Sequence, residues 1–241
     1  MGLGAFWTPA ITRKGGTIHK RAGKIFFVCT CVIAATGLVM AALLLMAPLA
    51  IHPPRTAVSP AVEARIAVQV RSTVPFLVYL VLITFTPVYH GVRVLATRKT
   101  PGELRTPFHT AVNVTMIAAS AVLVVLAVLF RQPVFAVMSP IGFLAGTGQL
   151  QFARRPYPTP MAWWYEHMGA MIGGGIAFHT AFLVLGAGRL FGLRLDGTAA
   201  AIPWILPTLI GIPASVIWVR YYRRKLGELD AAPKAAAAPL S

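Results

Sequence analysis

Four histidines and one glutamate carry the chemistry this chain could do: His19, His90, His109 and His167, with Glu166 beside the last. Neutral imidazole is the commonest side-chain metal ligand, and histidines with a carboxylate suit iron, copper or zinc. Two histidines facing each other across a helix bundle also suit the axial positions of a b-type haem in an electron carrier. The same residues could equally form a proton-conducting or substrate-binding cluster, or a purely structural hydrogen-bonded one. No known ligand spacing singles out one of these. The chain has no His-x-x-x-His pair and no Cys-x-x-Cys-His, and Glu166-His167 lacks the second helical histidine of a metalloprotease motif.

Composition says where such residues must lie. Of 241 residues, 57% are hydrophobic and only 12% charged, and mean hydropathy is +0.72. A soluble domain carries charge on about a quarter of its residues, so this chain reads as an all-α polytopic membrane protein. A helix rising ~1.5 Å per residue needs about 20 apolar residues to cross ~30 Å of hydrocarbon. Six runs qualify, at 25–51, 74–96, 106–130, 133–150, 160–191 and 202–219. Thr106-Pro107 opens the third as a cap residue followed by proline at the first helical position. The fourth is short and interrupted by Pro140, Gly142, Gly146 and Gly148, which predicts a broken, tilted or re-entrant span. Residues 1–24 read as a basic interfacial segment anchored by Phe6 and Trp7, residues 25–220 as the membrane domain, and 221–241 as a basic and then disordered tail.

Orientation follows from charge. With both termini cytoplasmic, the outer loops hold only Arg55, Arg65, Arg71, Arg131, Arg189 and Arg194 of the 22 Lys and Arg. Alternation over six spans then satisfies the positive-inside rule. The net charge of +16 would suggest nucleic acid in a soluble protein, but here the basic residues cluster at helix ends, where they meet anionic lipid head groups. The expected partners are therefore membrane lipids and neighbouring membrane subunits, with no nucleic acid. With six acidic residues in all, and Glu166 the sole one in a span, soluble-enzyme classes such as a serine–histidine–aspartate hydrolase find no support.

Depth gathers the histidines. His90 lies about seven residues, or ~10 Å, from the inner end of the second span, and His167 lies equally far into the fifth. His109 is slightly shallower in the third span, and His19 precedes the first on the same side. In the third span His109, Asn113, Met116 and Ser120 recur at helical spacing, so one stripe should face the bundle interior. In the fifth, Gly169-x-x-x-Gly173 is a small-residue pattern that lets helices approach, or leaves room for a flat cofactor. His179 is ~18 Å deeper than His167 and cannot share the same site, and His52-Pro53-Pro54 reads as an exit loop. Cys29 and Cys31, two apart on a helix, point to opposite faces and read as buried small residues.

The stretch Thr17-Ile18-His19-Lys20-Arg21-Ala22-Gly23-Lys24 resembles the histidine-basic-x-x-glycine-basic signature of a large family of uncharacterised bacterial multi-span membrane proteins. The segment Trp164-x-Glu166-His167-Met168, leading into Gly173-Gly174-Gly175 and His179, is similar to a second motif in relatives of that family. The resemblance implies a bacterial cytoplasmic membrane and no particular activity. In helix number and inner histidines the chain is also loosely similar to six-span transmembrane cytochromes b. Those carry four helix-borne haem ligands in two membrane halves, whereas this chain has one clustered half, with only His179 and His52 toward the other.

Three function classes follow. A redox protein would bind haem b or a transition metal through His90 and His167, with His109, His19 and Glu166 as further ligands or supporting groups. A proton or small-solute transporter would use the same residues with the fourth span as a moving element. A structural or assembly subunit would use none of them chemically.

Overall fold

Every backbone amide in hydrocarbon must find its partner within its own segment, so the apolar runs become helices. The computed structural model describes residues 1–155, 157–192 and 197–228. In order, the helices are α1 (Gly2–Ile11), α2 (Thr17–Met46), the single turn α3 (Pro48–Ile51), α4 (Pro60–Ser72), α5 (Val74–Ala96), α6 (Pro107–Phe130) and α7 (Pro133–Arg154). They continue with α8 (Ala162–Ala181), prolonged by a π-helical stretch at Phe182–Ala187, the single turn α9 (Gly188–Phe191), and α10 (Ile202–Lys225). Among the described residues there is no strand, and six helical stretches are long and apolar enough to cross a membrane. The protein is an all-α, multi-pass membrane bundle.

α5 is its centre. It packs against α2, α6 and α8, while α6 lies along α7 and α10 rests mainly on α8. Tyr79, Val88, His90 and Val94 of α5 are wholly buried between these neighbours. Close approach is achieved where side chains are missing: a Cβ on Gly91 would come 3.1 Å from that of Ala170, and one on Gly142 would collide with Tyr79 and the Ser120 hydroxyl.

Three elements differ from the sequence expectation. The fourth span is not broken. α7 runs through Pro140 to Arg154, and the carbonyl of Ala136, which proline cannot satisfy, accepts a 3.3 Å bond from the Ser139 hydroxyl. Its Gly142 and Gly146 lie against α5 and α6 and act as packing positions, not breaks. Secondly, 60–72 is helical although it carries Glu63, Arg65 and Arg71. Pro60 starts α4, and the Arg71 Nε donates to the carbonyl of Leu45, one of the last four of α2 that have no helical partner. Thirdly, the N-terminal residues do more than lie at an interface. The turn at Arg13–Gly16, with Gly15 at φ 74°, reverses the chain so that α1 packs back along α2 and touches α8. The disordered tail expected at 231–241 and the loop residue Arg194 lie outside the described residues.

Candidate functional site

The site is built from three helix ends on one side of the bundle. Thr106 caps α6: its hydroxyl accepts from the backbone N–H of His109 at 3.1 Å, and Pro107 fills the first helical position. His109 is thereby fixed in the first turn, wholly buried. His90 projects from the last two turns of α5, also wholly buried, and Glu166 from the second turn of α8 with its side chain 30% exposed.

These three meet in a row. His90 Nδ1 lies 2.9 Å from His109 Nε2, and His90 Nε2 lies 2.9 Å from Glu166 Oε1, the one contact within 4 Å between a carboxylate and a basic side chain among the described residues. Asn113, one turn below His109, donates from Nδ2 to the His109 carbonyl at 2.8 Å and approaches His109 Nε2 at 3.4 Å. Phe152 of α7 meets the His90 ring edge to face, with centroids 5.9 Å apart, and stacks in turn on Tyr157. Tyr157 lies in the loop between α7 and α8, where burial and then the negative charge of Glu166 push its hydroxyl above the ordinary value. It therefore stays a neutral phenol beside the carboxylate.

The predicted residues divide. His90, His109 and Glu166 come together. His167 does not join them: its Nδ1 donates to the carbonyl of Gly91 at 2.8 Å, across the close contact of α5 and α8. His19 is half-buried in the first turn of α2, its Nδ1 without a partner, and makes no hydrogen bond to the other three. His52 is exposed after α3. His179 has a defined role elsewhere. The Trp7 indole can only donate, so the 3.0 Å bond from its Nε1 makes His179 Nε2 the acceptor, leaving Nδ1–H for the Gly175 carbonyl at 2.7 Å. Sequence reasoning missed Phe152, Tyr157 and the Trp7 contact. Aromatic side chains carry no periodic signal that distinguishes a lid on a polar site from ordinary core.

A metal or haem would need these donors to converge on one point. His90 uses opposite edges of its ring, so His109 and Glu166 lie on opposite sides of it and do not converge on one point. Among the described residues no group of three or more His, Cys, Asp or Glu is placed to hold a metal ion. A haem between His90 and His167 would need a free nitrogen on each facing the iron; His167, held through Nδ1 by the Gly91 carbonyl, keeps Nε2 free, but both nitrogens of His90 are engaged, by His109 and Glu166. As arranged, the residues fit neither group.

They do fit proton movement. In one state Glu166 is ionised, His90 Nε2–H donates to it, and His109 Nε2–H donates to His90 Nδ1. In the other, Glu166 carries the proton and donates to His90 Nε2, His90 Nδ1–H donates to His109 Nε2, and His109 holds its proton on Nδ1. From the second state, Glu166 gives its proton to His90 Nε2 and His90 passes its Nδ1 proton to His109 Nε2, which leaves Glu166 ionised, His90 protonated on Nε2 and His109 protonated on both nitrogens. A proton taken up at the partly exposed carboxylate is thereby carried as far as the buried His109.

Comparison with protein-family models, curated proteins and solved structures finds no match for this chain.

Proposed function

We propose that this is a proton-translocating or proton-coupled carrier of a bacterial cytoplasmic membrane, with Glu166, His90 and His109 as its proton path. The observation that carries the reading is the row of hydrogen bonds in which each end of the His90 ring has its own partner, leading from a partly exposed carboxylate to a buried imidazole. Beyond His109 the polar stripe of α6 continues through Asn113 to Ser120, about 16 Å along the helix by its rise per residue. There the Tyr79 hydroxyl bonds to the carbonyl of Met138 and accepts from the Gly142 amide, and Phe76, Phe135 and Trp204 close the far side with a cluster of rings. The path is thus open to one face and plugged toward the other, as a carrier in one of its two access states would be.

The test is proton flux into liposomes carrying the purified protein and an internal pH dye, under an imposed gradient. Glu166→Gln and His90→Gln should each lower flux roughly tenfold or more, the scale on which lost proton-transfer groups act. His167→Ala should retain most of it. Flux through both Gln variants equal to wild type would overturn the reading. A haem absorption band, or one equivalent of bound metal lost in His90→Gln, would support electron transfer in its place.

A further inference from the structure

The glycines of α8 divide into two sets, and the division exposes a second site, away from Glu166, His90 and His109. Gly174 and Gly175 are pressed against Val88 and Phe6, so a Cβ on either would collide. At Gly169 and Gly173, the pair with the helix-packing spacing, a Cβ would make only ordinary contact, 4.0 Å from the Ser215 hydroxyl and 3.7 Å from Pro87, respectively. Neither position is tightly filled by a neighbouring helix. They line a groove between α8 and α10 whose larger part is also walled by α5 and α7.

The groove comprises two adjoining cavities of about 230 and 170 Å³ that share Gly173, Ile176 and Ile212. Its lining is almost wholly apolar. Of the hydroxyls in the larger cavity, Thr84 and Thr180 already donate to carbonyls of their own helices, Leu80 and Ile176. Water would find too few partners to fill such a space, and a polar ligand would lose its hydration without replacement. From Gly169 to Thr180 the floor runs about 16 Å by helical rise, close to half of a ~30 Å hydrocarbon core and so to one leaflet. α10 is the least covered of the spans, so the groove opens sideways to the bilayer.

At one end the chemistry changes. Val216 lines the groove, and Arg220 follows it at i+4, on the same face of α10 and exposed. Arg223, Arg224 and Lys225 complete the last turn. Among the described residues no carboxylate lies within 4 Å of the charged groups of these cations. Trp164 and Tyr222 pack edge to face beside them, at the level where amphipathic rings meet head groups.

We propose that the α8–α10 groove binds one anionic glycerophospholipid, an acyl chain lying over Gly169 and Gly173 and the phosphate at Arg220. Basic residues beside a gap between membrane helices are suited to acidic head groups, and here an apolar trough one leaflet long continues from them. The inference stands whether or not the proton path does.

The test uses phosphatidylglycerol and phosphatidylcholine with acyl chains brominated near the methyl end, because Trp204 lies about 24 Å along α10 from Arg220, in mixed micelles with the full-length protein. Bromine quenches tryptophan on contact, and Trp204 lines the larger cavity. Its signal is the difference between the protein and Trp204→Phe. Phosphatidylglycerol should quench Trp204 at lower mole fraction than phosphatidylcholine. Arg220→Gln should weaken the phosphatidylglycerol effect about fivefold, equivalent to ~1 kcal/mol for one basic residue at an anionic surface. Gly173→Leu, which has room to fold, should abolish quenching by both lipids, and Ile212→Phe, filling the groove from α10, should do the same. Equal quenching by the two lipids, or quenching in both filled variants as strong as in the wild type, would overturn the proposal and leave only unselective lipid contact.

Discussion

His90 shows what a single position in this chain has to satisfy. It is wholly buried in a membrane helix, where an ionisable group is costly, and both of its nitrogens are met. That much was legible: matching depths put His90, His109 and Glu166 at one level, and they touch. The assignment of His167 to the same point failed for a simple reason. Consecutive residues on an α-helix are turned by about 100°, so Glu166 and His167 cannot both face His90, and depth alone does not reveal which of them does. Trp7 and His179 make a second imidazole contact, at the exposed edge of the bundle, and its strength is measurable. Trp7→Phe keeps an aromatic ring against Phe6 and His179 but removes the donor to Nε2. It should lower stability by about 1 kcal/mol, the usual net value of one hydrogen bond, while Trp7→Ala should cost several times that because the ring is lost too. Unfolding in mixed detergent micelles of increasing denaturant content would read the difference; equal losses in the two variants would mean that the hydrogen bond contributes nothing.

α8 is the element on which most of the bundle depends, for it meets α1, α5 and α10 on different faces. Its sequence Gly169 to Gly175 announced close packing, but the pattern did not say which glycines were the close ones, since small residues on opposite faces look alike in a linear chain. The structure answers with Gly174 against the stiff, β-branched Val88. Gly174→Ala should therefore destabilise the protein by about 1–3 kcal/mol, the ordinary penalty of overpacking, whereas Gly169→Ala should be tolerated. Thermal unfolding of the two variants in detergent distinguishes them, and a Gly174→Ala midpoint equal to wild type would show that α5 can yield by that much. The continuity of α7 was the other feature that pattern concealed. Proline and three glycines read as a break until the Ser139 hydroxyl and the facing side chains of α5 and α6 are in place, and these are tertiary facts.

For the whole molecule, six spans and the charge pattern make one statement about sidedness. Glu166, His90, His109 and Arg220 all lie near the same end of the bundle, the end that also carries the α10 cluster of Arg223, Arg224 and Lys225 and the 97–106 connection with Arg98, Lys99 and Arg105. The opposite end holds the 52–59 connection, whose single basic residue is Arg55. By the bias of Lys and Arg toward the cytoplasm, the proton path should open inward and the aromatic cluster of Phe76, Phe135 and Trp204 should face outward. Ser59 and Thr100 are exposed positions on these two connections and suit a direct measurement. With Cys29 and Cys31 replaced by serine, Ser59→Cys should react with a membrane-impermeant maleimide on intact cells, and Thr100→Cys should react only after the membrane is opened. The reverse pattern would turn the bundle over and make Glu166 an outward-facing proton acceptor. Labelling at both positions in intact cells would mean that the two connections share a side, which is incompatible with a single crossing by α5.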